Sequence, residues 1–267
     1  MYNEQEDFLH HRKEIEDFLN VLSIAGIRLF NMTRALDIGA GQGMHAGFLG
    51  KYFQEVYCTD LINYTSLYNG EFYKLLKEKY ERNGYTIDLT KILFIKSDGM
   101  DLLFKDNFFD MIISINTFEH IKEPKTALLE MIRCTKEGGY VYIQFDPIWT
   151  ADTGSHFFHR VPEPWAHLVY SDEEYISRMK AHGASDDEVC EYGSAMNRKR
   201  LDYYERLFRE SEKKGLCQII YETSWSGLSD QEHKTHPLFA RCLQKGFSEN
   251  ELLFRGARFL LEIDKTP

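Results

Sequence analysis

Apolar positions recur along this chain with two periods, and the order in which they appear predicts its elements. Phe8, Ile15, Phe18, Leu19 and Leu22 fall near helical spacing, so residues 5–26 read as an amphipathic helix. Short apolar runs follow. Arg34–Ile38 is a strand ending in a glycine-rich turn, with a helix over Met44–Phe53 behind it. Glu55–Thr59 is a second strand and a long helix over 66–82 comes next. Ile92–Lys96 and Phe109–Ile115 are the third and fourth strands, the latter apolar enough to lie mid-sheet. Pro124 opens a helix through about Cys134, Gly138-Gly139 closes it off, and Tyr140–Phe145 is the fifth strand. This alternation predicts an α/β fold, a doubly wound, mostly parallel sheet with helices on both faces.

After Pro147 the pattern breaks. Residues 147–197 are rich in aromatics, histidines and acids and carry no comparable strand signal, so they read as an insertion over the carboxyl ends of the strands. Residues 198–213 return to a helix, 216–225 to a strand and 257–263 to a seventh strand, with helical pattern over 229–254. The expected organisation is one domain over 1–267. It carries an N-terminal helix in 1–32, a substrate-side lid in 147–197 and a helical insertion in 227–255 before the last strand.

Composition narrows the function classes. With 267 residues and 43% hydrophobic positions, a sizeable core is available and disorder is not the default. A net charge of −10 disfavours partners bound by neutralising phosphates, so no nucleic acid is expected. The basic run Asn197-Arg198-Lys199-Arg200 reads as a solvated helix face. There is no apolar run of transmembrane length and no signal-peptide pattern at the N-terminus. The five cysteines, odd in number and without a C-x-x-C pair, fit reduced thiols, and the expected location is the cytoplasm. Nothing in the sequence speaks to oligomeric state.

The sharpest local signal is Leu36-Asp37-Ile38-Gly39-Ala40-Gly41-Gln42-Gly43, a strand running into three alternating glycines. The spacing is G-x-G-x-G, tighter than the G-x-G-x-x-G that cradles a dinucleotide pyrophosphate. Such a turn beside Asp37 suits the amino-acid end of a nucleoside that carries no phosphate. Polar groups at other strand tips support a nucleoside: Asp60 at the ribose offset, Asp98-Gly99 after the third strand, and Asn116 after the fourth.

These segments resemble the class I S-adenosylmethionine (SAM)-dependent methyltransferases. LDIGAGQG resembles their first motif, TDL their second-strand acid, SDGMDLLFKDNFFDMIISINTFEHI their third and fourth strands, and EMIRCTKEGGYVYIQF the fifth-strand region. The resemblance spans about residues 33–147. It implies SAM as cofactor, bracketed by Gly39, Gly41 and Gly43 beside Asp37. It places Asp60, with Leu61 next to it, on the ribose, Asp98 and Gly99 at the adenine, and Asn116 along the methionine portion. Glu119-His120 stands where the cofactor side of the site would be, so His120 joins the cofactor-binding set.

Transfer to a sugar or alkyl hydroxyl gains from a general base, worth about 10²–10⁴-fold. The lid offers His156, His159 and His167 among Trp149, Phe157, Phe158, Trp165 and Tyr170, a mixture suited to a small-ligand or sugar cleft. The same stretch is similar to a subgroup of class I methyltransferases associated with bacterial surface-glycan synthesis. The matching elements are Gly154-Ser155-His156, Pro164-Trp165-Ala166-His167-Leu168 and Asn197-Arg198, with Ser155 standing where that subgroup has a first histidine. The expected partner is therefore a small-molecule or glycan acceptor.

The lid histidines with Asp146 or Asp152 are candidate metal donors, but no compact motif such as H-E-x-x-H is present and no metal is expected. Two other readings share the sheet. An NAD-dependent sugar-nucleotide enzyme would need a Tyr-x-x-x-Lys pair after the fourth or fifth strand, and Tyr73…Lys77 lies after the second. A SAM-binding partner protein without catalysis would more often lack part of the acid set. Nucleic-acid methylation is disfavoured because Asn116-Thr117-Phe118 replaces an Asn-Pro-Pro-aromatic element.

Overall fold

Seven strands pair into one sheet in the order β3-β2-β1-β4-β5-β7-β6. They are β1 Arg34–Ile38, β2 Glu55–Asp60, β3 Ile92–Lys96, β4 Phe109–Ile115, β5 Thr135–Phe145, β6 Cys217–Ser226 and β7 Phe254–Ile263. The coordinates are a computed structural model that describes residues 3–194, 196–227 and 234–265. The first five strands are parallel, and β7 runs antiparallel to both β5 and β6. This is the mostly parallel, doubly wound α/β fold that the sequence pattern predicts.

The chain winds from β1 out to β2 and β3, then returns to β4 on the other side of β1. That reversal opens a crevice at the carboxyl ends of β1 and β4, where wound sheets bind ligands. One face of the sheet is covered by α1 (Glu4–Ile24), α2 (Met44–Leu49) and α3 (Phe72–Arg82), which bury Phe8, Phe18, Phe48 and Tyr80. The other is covered by α4 (Pro124–Cys134) and α8 (Leu201–Lys213), which bury Leu128, Met131, Tyr204 and Phe208.

The lid holds α5 (Ala166–Val169), α6 (Asp172–Ala181) and α7 (Asp186–Ser194). It packs a core of its own from Trp149, Phe157, Trp165, Tyr175 and Tyr192, joined by Leu238 and Phe239 from the helix Pro237–Gln244. The helical pattern over 229–254 resolves into that helix and a second, Glu249–Leu253, while 229–233 lie outside the described residues.

Local chemistry shifts several boundaries. The helix expected over 66–82 begins at Phe72, because Asn69 and Gly70 sit at positive φ and interrupt it after two single turns. Gly138-Gly139 does not end a helix. The helix stops at Cys134, as its pattern predicts, and the glycines lie beyond it in a bulge where pairing jumps from Phe109–Thr135 to Met111–Tyr140. A Cβ on Gly139 would press within 3.0 Å of the Asp110 carbonyl. The last strand starts at Phe254, three residues earlier than its apolar pattern, because it continues to pair with β6 out to Ser226.

The run 197–200 is an extended connection ahead of α8 and not a solvated helix face. Arg198 pairs with Asp172 and lies over Trp149, and Arg200 bonds Glu251, so both cations are engaged by neighbouring side chains.

Candidate functional site

Two adjoining cavities open at the strand tips and share Gly39. The larger, about 810 Å³, is walled by Asp60, Leu61, Ile62 and Tyr64 after β2, by Asp98, Gly99 and Met100 after β3, and by Thr117, His120 and Ile121 after β4. Glu191 and Ser194 of α7 cover it from the lid. The smaller, about 470 Å³, runs between the glycine turn and α1, and carries Gly41, Asn116, His10, His11, Glu14 and His45 on its walls.

Parallel pairing explains why the acids converge. Asp37 stands opposite Cys58, and Asp60 opposite Lys96, so the tips of β1, β2 and β3 end level. The Gly41 amide donates to Asp60 Oδ2 at 3.1 Å and the Ile62 amide to Oδ1 at 2.9 Å, which locks the carboxylate at the cavity edge. Asp98 Oδ1 accepts from the Met100 amide at 2.8 Å and is held the same way.

The three glycines have different reasons to be bare. All lie at positive φ, but a Cβ on Gly39 would strike Thr117 and one on Gly43 would strike Phe94, each at 2.2 Å. Those two serve the packing of the turn, and Gly43 is not among the cavity-lining residues. Gly41 is the open one: nothing lies within 4 Å of where its Cβ would be, and it forms a cavity wall.

The smaller cavity holds a charged cluster that sequence reading missed. His45, buried at the start of α2, sets Nε2 2.9 Å from Glu14 Oε2 and Nδ1 3.5 Å from Asp37 Oδ2. Burial alone would push this imidazole down, but the two carboxylates hold its pKa at about 9, so it is a cation at neutral pH. Glu14 also accepts from Asn116 Nδ2 at 2.5 Å. Asn116 Oδ1 is buried with no hydrogen-bond partner. The only sequence signal was α1 itself, whose polar face turns out to line a ligand cavity instead of facing solvent.

The lid histidines part company. His167 is buried in the lid core, its Nε2 donating to the Trp149 carbonyl at 2.7 Å, and burial pulls its pKa to about 4. His159 is exposed and bonds Glu188 at 3.1 Å, beside the Arg160–Glu188 pair. His156 meets the site: its ring stands edge-on to His120 at 4.8 Å between centroids, and His120 walls the larger cavity. His156 has φ 62, a strained setting for a side chain that is not glycine. Burial and the neighbouring His120 pull its pKa to about 4, leaving it neutral. Its Nε2 donates to the Pro147 carbonyl at 3.1 Å, which leaves the lone pair on Nδ1.

Behind this pair lies Glu119, fully buried. Oε1 accepts from the Asp146 amide at 3.2 Å and Oε2 has no hydrogen-bond partner. Burial pushes its pKa up to about 8. The loop carrying Glu119 and His120 is pinned from the lid: Asn197 Nδ2 donates to the Phe118 and Ile121 carbonyls, and the Asn197 amide donates to the Glu119 carbonyl. Ser155, standing where a first histidine was sought, accepts from Tyr175 Oη at 2.8 Å inside the lid. Trp149, Phe157 and Trp165 also turn into the lid core and do not line either cavity.

Residues 36–143 match the family described as "Methyltransferase domain". An uncharacterized methyltransferase of Mycobacterium tuberculosis is 36% identical over 64 residues, which is 24% of this chain and 25% of that protein. The match thus spans a quarter of that relative's length. An uncharacterized methyltransferase of Mycolicibacterium vanbaalenii is 27% identical over 123 residues, 45% of this chain and 42% of that protein. Among solved structures, phosphoethanolamine N-methyltransferase 2 of Haemonchus contortus, in complex with phosphomonomethylethanolamine and S-adenosylhomocysteine, superposes with TM-score 0.53. It shares 19% identity over 94% of this chain and 53% of that one. The YcgJ protein of Bacillus subtilis superposes with TM-score 0.50 at 17% identity, over 92% of this chain and 97% of that one. At these identities the structural likeness speaks to the fold.

The cavities fit the cofactor such a domain takes. An acid edge and apolar walls suit an adenosine, and a cation with buried acceptors at Glu14 and Asn116 suits a zwitterionic methionine end. Over residues 36–143 the chain is therefore similar to a methyltransferase domain, and the cofactor this similarity supports is SAM.

Proposed function

We propose that this protein transfers the methyl group of SAM to a hydroxyl of a small-molecule or glycan acceptor, and that His156 takes the acceptor's proton. The observation that carries this reading is the continuity of the larger cavity. It runs from Asp60 and Asp98 past Gly39 and Thr117 to His120, whose ring meets His156.

SAM supplies an activated methyl on a sulfonium, so the protein's task is mainly to orient, worth up to about 7–11 kcal/mol in favourable cases. Asp60 holds the ribose hydroxyls, Asp98 and Gly99 face the adenine with Leu61 alongside, and Gly39, Gly41 and Asn116 flank the methionine chain. His45 and Glu14 offer that chain one charge of each sign. Asp37 acts through His45, which it helps keep protonated. His156 presents a neutral imidazole with its lone pair on Nδ1. As the acceptor oxygen bonds to the methyl carbon, its proton passes to that nitrogen and the carbon–sulfur pair returns to sulfur. Glu191 and Ser194 of α7, which cover the cavity from the lid, limit the access of competing water. His167 and His159 have structural work in this reading, the first as a core hydrogen-bond donor and the second on the lid surface.

The test is a screen of S-adenosylhomocysteine release against nucleotide sugars, glycan fragments and small hydroxylated metabolites. Methylated product from a hydroxyl acceptor, lost in His156→Ala, supports the reading. Turnover only on amines, or full activity in His156→Ala, overturns the hydroxyl or the base assignment respectively.

A further inference from the structure

One donor atom each from Glu119, His120 and His156 lie within 4.8 Å of one another, a carboxylate and two imidazoles at the wall of the cofactor cavity. We propose that these three side chains bind a divalent first-row transition-metal ion, which takes the acceptor oxygen as a further ligand. Two imidazoles and a carboxylate are the donor set such ions prefer. Ligands on one tetrahedral ion sit about 3.3–3.5 Å apart at metal–ligand distances near 2.1 Å, a spacing that small side-chain rotations reach from here.

A second observation points to a ligand. Glu119 Oε2 is an acceptor in a residue with no exposed surface, and it has no hydrogen-bond partner. Proteins seldom leave a buried carboxylate oxygen in that condition, because it loses water and gains nothing. His156 contributes the matching feature, since its Nε2–H is used on the Pro147 carbonyl and Nδ1 keeps a lone pair. The loop that presents Glu119 and His120 is clamped by Asn197, so two of the ligands sit on a fixed frame.

One other cluster of this kind exists among the described residues, His11, Glu14 and His45. It is the poorer cation site. Both nitrogens of His45 face carboxylates, of Glu14 and of Asp37, so both act as donors and no lone pair remains for a metal.

The binding claim stands on the cluster alone, whereas its role at the acceptor rests on the methyl-transfer reading. It changes one part of that reading: with a cation on Nδ1, His156 is a ligand, and the acceptor's proton departs to solvent once its oxygen binds the ion.

The test uses the full chain, freed of metal with a chelator and titrated with Co²⁺ while visible absorption is followed. Saturation at one ion per chain is expected, weakened at least tenfold in Glu119→Gln and in His156→Asn. Glu14→Gln and the surface variant His182→Ala should bind as wild type does. Circular dichroism checks that each variant is folded, and His120→Asn stands in should Glu119→Gln unfold. Absence of a saturable band overturns the site, as does loss in Glu14→Gln with binding kept in Glu119→Gln. Calorimetry with S-adenosylhomocysteine separates the two claims. Nucleoside binding without cobalt binding overturns the cation site alone. Cobalt binding without nucleoside binding overturns the methyl-transfer reading alone.

Discussion

His45 is a buried imidazole and His156 a half-buried one, each at the edge of a cavity, yet one is held charged and the other neutral. His45 lies between Glu14 and Asp37 and keeps its proton to about pH 9; His156 has a carbonyl and another imidazole for company and stays neutral down to about pH 4. Loss of water lowers the pKa of both, so partners decide the charge. In the proposed reading the methionine end of SAM meets the cation and the acceptor meets the lone pair, so the contrast between the two imidazoles is what the predictions below probe.

The largest expected effect tests the charged half. His45→Ala leaves two buried carboxylates without their shared cation, and breaking a buried pair of this kind costs about 3–5 kcal/mol. Urea denaturation at pH 7 reads it; a loss below about 1 kcal/mol would mean that His45 is not the bridge between Glu14 and Asp37. The pH profile gives the sign independently. His45 has a folded pKa raised from 6.5 to about 9, so its contribution is whole below pH 6.5 and disappears as pH rises through 9. His156 and His167, pulled from 6.5 to about 4, act the other way: the folded state loses stability as pH falls from 6.5 towards 4. His45→Gln should flatten the alkaline limb and leave the acid limb in place. An unchanged alkaline limb breaks the contrast.

The neutral half is tested by turnover. His156→Ala should lower the rate about a hundredfold or more, the contribution of one positioned base or ligand, and leave SAM affinity within threefold. Equal losses in affinity and rate would make His156 a structural residue like His167. Asp60→Ala should do the reverse, weakening SAM about tenfold, about 1.4 kcal/mol, because a charged acceptor is lost from the ribose. Isothermal titration that shows no change removes Asp60 from the site.

The same contrast marks how much was legible in the sequence. Arg34–Ile38 and Phe109–Ile115 are the strands read from pattern, residue for residue, because a central parallel strand is buried on both faces and must be largely apolar. That Asp60, Asp98 and Asn116 would line the cavities at the strand tips was legible for a related reason: strand ends and crevice coincide in wound sheets. His45 and Glu14 were not, since they are 31 residues apart on helices whose packing no local pattern encodes. The lid failed differently. Trp149, Phe157 and Trp165 have the composition of a ligand cleft, but a segment of some fifty residues with its own core needs the same aromatics to bury. Glu119 carried a signal that was read only halfway, as a neighbour of His120, because its isolation is a property of the folded interior.

The smallest expected effect sharpens the comparison from outside the cavities. His159 shares the lid with His156 and His167, but its side chain is 59% exposed and its partner Glu188 is already held by Arg160. An exposed pair gains little Coulomb energy in water and costs side-chain freedom, so His159→Ala should change unfolding free energy by less than about 1 kcal/mol. High salt should not alter that difference measurably, because the Arg160–Glu188 pair remains in both proteins. The informative quantity is the spread across the three variants measured under one condition. Burial ranks them His167, His156, His159, and if lid histidines act through the lid core, stability losses should follow that rank. A large stability loss in His159→Ala would place an unrecognised constraint on the lid surface and remove the ground for separating His156 from its neighbours.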